Sequence, residues 1–166
     1  MVDKNKQLLY HLDKATSILN QYKIRVGVIA NYSKNDRKKV VEGVTNADLM
    51  FIHEFGSPLN DIPKRPVLHF TIQDLRKTIV KDSVETCIKN VISGLWTEKE
   101  VELELKKLCI RIQNYARKMI LDKDNRLQAN APSTIKSKGE NYPLHNTSQL
   151  ARSITAVLYK NDKALL

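Results

Sequence analysis

The strongest constraint in this sequence is a pair of long apolar stripes that meet at "SGLWTEK", residues 93–99. On the N-terminal side Leu68, Ile72, Leu75, Ile79, Val84, Cys87, Ile88, Val91 and Leu95 recur mostly at three- and four-residue steps. A helix puts such residues on one face, so the stripe predicts a single helix of roughly seven turns. Pro66 opens it at the first turn, where its missing N–H costs nothing, and Gly94 ends it. Thr97 and Glu100 stand at the two positions of a reciprocal N-terminal cap, with Trp96 and Val101 as the apolar pair beside it. The second helix then runs to about residue 123 through Val101, Leu105, Leu108, Ile112, Tyr115 and Met119. Two long helices joined by a tight turn make an antiparallel hairpin.

Other elements are assigned around that hairpin. In "KQLLYHLDKATSILNQY" Leu8, Leu12, Ala15, Leu19 and Tyr22 form one face of an N-terminal helix. "KIRVGVIANY" follows, with Ile24, Val26, Val28 and Ala30 alternating as in a strand, and Gly27 marks a close backbone approach or a bulge. Residues 33–43 are polar and basic and read as a mobile loop. Thr45 and Asp48 form a capping box for a short helix, stapled by Val44 and Leu49 and stopped by Gly56 and Pro58. Residues 125–149 lose all periodicity, and a loop of that length is functional or disordered. "LARSITAVLY", residues 150–159, alternates again and predicts a final strand. The fold class expected is α+β. A small antiparallel sheet from the early and C-terminal strands packs with the N-terminal helix and the helical hairpin. With 166 residues the chain is expected to be one domain, 1–166, with mobile or partner-binding loops at 33–43 and 125–149.

Composition bears on function mainly through charge. The chain is 42% apolar and 28% charged, as in soluble globular proteins. It has no apolar run of the eighteen or so residues that a membrane helix needs. Its N-terminus lacks the apolar core of a secretory signal, so synthesis in the cytoplasm is expected. Cys87 and Cys109 have no metal or disulfide spacing and fall in apolar stripes, which predicts buried thiols. The net charge is +10, and residues 106–166 carry 12 basic and 4 acidic side chains, a balance of +8 that leaves +2 for residues 1–105. Such asymmetry points to a polyanion, nucleic acid or an acidic protein surface. Lys106, Lys107, Arg111, Arg117, Lys118, Arg126 and Lys136 are the DNA-facing candidates. A soluble double-stranded-DNA-binding protein is therefore one reading, although no helix-turn-helix precedes these residues.

The signatures of catalysis are missing. His11, His53, His69 and His145 never form an H-E-x-x-H or Cys/His pair, and no G-x-S-x-G, P-loop or G-x-G-x-x-G is present. His53 and Glu54 stand about 100° apart on a helix and face no common ligand. A metal site would need His69 or Asp61 brought in from elsewhere, and a metal-dependent nuclease would need carboxylates clustered around His53 or His69. Asp74, Glu85, Glu100 and Glu102 lie among lysines and read as solvated ion pairs. No enzyme activity, cofactor, metal or catalytic residue is expected.

Three segments carry a family likeness in combination: "VGVIAN", "IHEFGSP…IPKRPVL" and "APSTIKSKGENYPLHNTSQLARSI", in that order. Together they resemble the tailed-bacteriophage neck and tail-completion proteins, which include Mu-type virion morphogenesis proteins and minor tail components. The middle motif of that family runs Asn/His-Glu-Phe-Gly, then Ile-Pro-x-Arg-Pro-Phe-Leu. Here it becomes His53, Glu54, Phe55, Gly56, then Ile62, Pro63, Lys64, Arg65, Pro66, Val67 and Leu68. The later motif is matched by Pro132, Thr134, Lys138 and Gly139, then Pro143, Leu144, Thr147, Leu150, Ser153 and Ile154. His145–Asn146 replaces the usual Ile-Asp, and Ser148 replaces a Gly, a change that a left-handed backbone would resist.

The resemblance spans about residues 24–158. It implies a structural virion protein that forms a homo-oligomeric ring at the neck, between portal or adaptor and tail-tube proteins. Double-stranded DNA would pass through the lumen without sequence-specific contacts. The interface candidates are Phe55, Leu59, Ile62, Pro63, Arg65, Pro132, Thr134, Lys138, Pro143, Leu144 and Thr147. The stretch 51–66 then reads as a rigid elbow that presents Leu59 and Ile62, with Phe55 packed beneath the turn.

Overall fold

The computed structural model describes residues 4–29, 44–144 and 148–165. The fold is α+β, with seven helices among the described residues and a three-stranded antiparallel sheet in the order β1-β2-β3. The helices are α1 (Lys4–Leu19), α2 (Asn46–Phe55), α3 (Val67–Arg76), α4 (Ile79–Ile92), α5 (Glu98–Leu121), α6 (Pro132–Lys138) and α7 (Gln149–Ser153). The strands are β1 (Tyr22–Gly27), β2 (Thr155–Lys160) and β3 (Lys163–Ala164). The polar loop expected at 33–43 lies outside the described residues.

The chain divides into two compact units. One takes Met1–Arg25, Asp74–Arg111 and Ala156–Leu166, and the other takes Val26–Gln73 and Ile112–Thr155. The boundaries cut β1, α3, α5 and β2 rather than linkers, so no change of composition marks them.

In the first unit α1 packs on α4. Ala15 and Ile18 are the buried positions of α1, while Leu8 and Leu12 of the expected face are exposed and Tyr22 opens β1. Periodicity marks a face but not how much of it a neighbour covers. A hairpin forms at the expected turn, with α4 alone as its first arm. The Leu95 and Trp96 amides donate back to the Asn90 carbonyl at 2.9 and 3.0 Å, and the Thr97 amide donates to the Glu100 carboxylate at 2.8 Å. Across it the Ser83 hydroxyl donates to Glu104 at 3.1 Å and accepts from Arg111 at 2.9 Å. Cys87, Val91, Val101, Leu105, Leu108 and Cys109 are buried there, and burial pushes both thiols up to about 11. In β2 the run Ala156, Val157 and Leu158 is buried without alternation, so both faces of that strand are covered.

The second unit is cored by Met50, Val67, Ala116, Met119, Ile120, Leu127, Leu150, Ala151 and Ile154. Three expectations are corrected. The helix predicted from Pro66 to Gly94 is two helices, broken at Lys77 and Thr78, with no Pro or Gly at the break. The Thr78 hydroxyl donates to the Asp74 and Leu75 carbonyls at 2.9 and 3.4 Å, an alternative to the helical ladder that Thr offers wherever packing favours it. The buried positions accordingly run Val67, Thr71 and Leu75, then restart at Ser83, Cys87 and Val91. The strand predicted over 150–159 starts as α7 and becomes β2 only at Thr155. The region 125–149 contains α6, whose Pro132 sits in the first turn and whose Gly139 caps the end at φ 79°. Its polarity hides the helix although its punctuation is visible.

Candidate partner-binding surface

The elbow is built residue by residue. Thr45 and Asp48 make the expected box, Thr45 N donating to the carboxylate at 2.8 Å and Asp48 N to the Thr45 hydroxyl at 3.2 Å. The Thr45 hydroxyl, which donates to the carboxylate at 2.6 Å, and then the Thr45 amide hold the Asp48 carboxyl below its usual range. Helix α2 ends at Gly56, φ 76°, where a Cβ would lie 3.0 Å from Lys64 Cγ and 3.1 Å from the Ile62 carbonyl. Only glycine fits both the torsion and the space. Ser57 and Ile62 then pair through two backbone bonds, 2.9 and 3.0 Å, enclosing a 3-10 turn over Pro58–Asn60. Asn60 Nδ2 donates to the Ser57 hydroxyl at 2.9 Å, which braces the turn further. At its tip Leu59 is 98% exposed.

Two charged residues anchor this loop. Arg65 is only 5% exposed; its Nε donates to the Gln128 carbonyl at 2.7 Å and its Nη2 to the Ala129 carbonyl at 2.9 Å. Burial lowers its pKa. Glu54 accepts from the Leu68 amide at 3.0 Å and the His69 amide at 2.7 Å, so it caps α3 from fourteen residues upstream. This resolves the His53–Glu54 pair. Glu54 holds a helix terminus, and the described residues contain no group of three or more His, Cys, Asp or Glu side chains placed to hold a metal ion. His53 is largely buried with Nδ1 unpartnered within the chain. Burial first, then the charges of Arg65 and Lys138, push its pKa down to about 4.

Two grooves open in this unit. The first, about 690 Å³, is apolar, with Val26, Val28, Met50, Phe51, Phe55 and Leu68 in its walls. Phe55 is 58% exposed and stands 4.8 Å from the Phe51 ring, so it does not pack beneath the turn. Asn46 and Met50 form the buried face of α2, and Phe51 and Phe55, four residues apart, share a solvent-facing one. The second groove, about 520 Å³, brings together Ile62, Pro63 and Arg65 from the elbow with Thr134, Lys138 and Leu144. Six of the eleven interface candidates thus converge although they come from two separate motifs. Of the rest, Phe55 lines the first groove, Leu59 is the loop tip and Pro132 is exposed in the first turn of α6. Pro143 is buried, so it supports the segment rather than facing a partner, and Thr147 lies outside the described residues. Ser148 adopts φ 56° and ψ 10°, so the backbone keeps the left-handed turn without the glycine.

The DNA-facing candidates are divided between the units and mostly engaged. Lys106 pairs with Glu102 at 2.9 Å, Lys118 with Asp122 at 3.5 Å and Arg126 with Asp124 at 2.8 Å. Arg111 bonds Glu104 and Ser83. Arg117 donates to the Ile154 carbonyl at 2.9 Å and to the Arg152 carbonyl at 3.2 Å. Lys107 lies 3.9 Å from Glu104 on an exposed side chain, and Lys136 is exposed on α6. The Glu54 cap, the Arg65 clamp and the bond from Asn130 N to Asn141 Oδ1, 2.9 Å, carry no local sequence signal; each joins residues far apart in the chain.

No helix among the described residues is long and apolar enough to cross a membrane. No protein-family model, curated protein or solved structure matches the chain.

Proposed function

We propose that this chain is a structural subunit of a tailed-phage virion, a ring-forming neck or tail-completion protein that joins the portal complex to the tail. Its partners are further copies of itself, portal or adaptor proteins and tail-tube proteins, with duplex DNA running through the lumen. The observation that carries the reading is the convergence of the elbow and 132–144 motifs, the ones that resemble that family, on one groove. Beside it a closed loop holds Leu59 almost entirely in solvent, and an apolar side chain on so ordered a loop loses little entropy on docking. The charged residues of the elbow support a binding role over a catalytic one: Arg65 is committed to two carbonyls and Glu54 to two amides.

Light scattering and negative-stain electron microscopy of the purified protein, with and without neck or tail partners, test the proposal. Rings are expected, or a monomer that becomes a ring on the partner complex, and Leu59→Asp should abolish either while leaving the monomer folded. A persistent monomer or dimer that ignores those partners yet binds duplex DNA with a steep salt dependence would overturn it.

A further inference from the structure

The groove shared by the elbow and α6 contains polar groups that the fold itself leaves unused. His53 Nδ1 and Asn130 Nδ2 are both buried and have no hydrogen-bond partner within the chain, and both residues line this groove. Leaving such atoms unpaired is costly, and a ligand recovers that cost by pairing them. Arg65 and Lys138 lie near enough to act on the imidazole by charge, against one acidic lining residue, Asp61. Leu49, Ile62, Pro63, Leu144 and Leu150 supply apolar walls. Two unused nitrogens, a positive field and apolar walls together describe a receptor for an acidic side chain between apolar neighbours.

We infer that this groove binds a carboxylate carried on an extended acidic peptide segment of an assembly partner, with the Asn130 amide and the His53 ring turning out of their buried positions to donate to it. Arg65 and Lys138 supply the charge, while the apolar walls take the flanking side chains. A phosphate of duplex DNA fits less well, because it sits on a rigid rod that cannot enter a concave groove. The inference rests on the assembly reading for the source of the segment, but the recognition it describes belongs to the isolated subunit.

The test uses the full chain and the peptide acetyl-Leu-Glu-Leu-amide, with acetyl-Leu-Gln-Leu-amide as the uncharged match. Binding is followed by amide chemical-shift changes. The Glu peptide should bind about tenfold more tightly than the Gln peptide, with shifts in α2, the 57–65 loop and α6. Lys138→Glu, an exposed change that leaves the core intact, should remove that preference, and Asn130→Asp should do so by repulsion. Equal binding of the two peptides, no binding of either, shifts elsewhere, or displacement by a short DNA duplex would each overturn the inference. Peptide binding without ring formation would sink the assembly reading alone; rings without a preference for the Glu peptide would sink only the groove's role.

Discussion

Acid should weaken this fold through His53, and the setting of the ring fixes the size of the effect. Burial, reinforced by Arg65 and Lys138, takes its pKa from 6.5 down to about 4. In the unfolded chain the imidazole returns to its ordinary range. As the pH falls from 6.5 to about 4, the unfolded state therefore gains a proton that the folded state refuses. Stability is complete above that window and is lost on descending through it. At about 1.36 kcal/mol per pH unit, the loss is about 2 kcal/mol at pH 5 and about 3 kcal/mol at pH 4. His53→Gln keeps a polar side chain and does not titrate, so it isolates this contribution. Urea unfolding followed by circular dichroism at pH 7, 6 and 5 gives the two stability curves. Between pH 7 and pH 5 the native protein should lose about 2 kcal/mol more than the variant. Asp48, Glu100, Glu102 and Asp162, whose carboxyls are held below their usual range, stay ionised over that interval and cancel in the difference. Parallel curves for the two proteins would refute the reasoning.

Glu54→Ala should cost about 1–2 kcal/mol by stripping the cap from α3, with Glu54→Gln intermediate, as read from urea midpoints. Gly56→Ala should destabilise by about 2 kcal/mol, the left-handed torsion and the crowding against Lys64 and Ile62 adding together; a change below about 0.5 kcal/mol would contradict the geometry described. Ser148→Gly should raise the melting temperature, since glycine accepts φ 56° without the penalty that serine bears, for a gain of about 0.5 kcal/mol.

How much of this was legible in the residues depended on the range of the interaction. The Thr45–Asp48 cap, the turn at Gly94, the burial of Cys87 and Cys109 and the stop at Gly56 are written in neighbours within a few positions, and each appears as read. The break at Thr78 did not show, because a threonine is neutral until packing decides whether its hydroxyl serves the helix or interrupts it. Helix α7 was too short for its period to emerge from the strand that follows. At the elbow, Pro and Gly announced a rigid turn but not what anchors it. Arg65 reaches carbonyls at 128 and 129, and Glu54 reaches amides at 68 and 69; nothing local distinguishes either from a solvated charge. The outward rotation of Phe55 was likewise settled by which face of α2 the core took.

The pairing of Ser57 with Ile62 has a consequence for how such a surface can change over generations. The loop meets its own backbone needs through those two bonds and its own 3-10 turn, and Leu59 touches almost nothing else in the chain. Substitutions at the tip are thus insulated from folding: they can alter the exposed surface without a stability cost that selection must first repair. Gly56, Glu54 and Arg65 have no such latitude, since each is tied to an element beyond the loop. The elbow therefore separates a constrained frame from a replaceable tip.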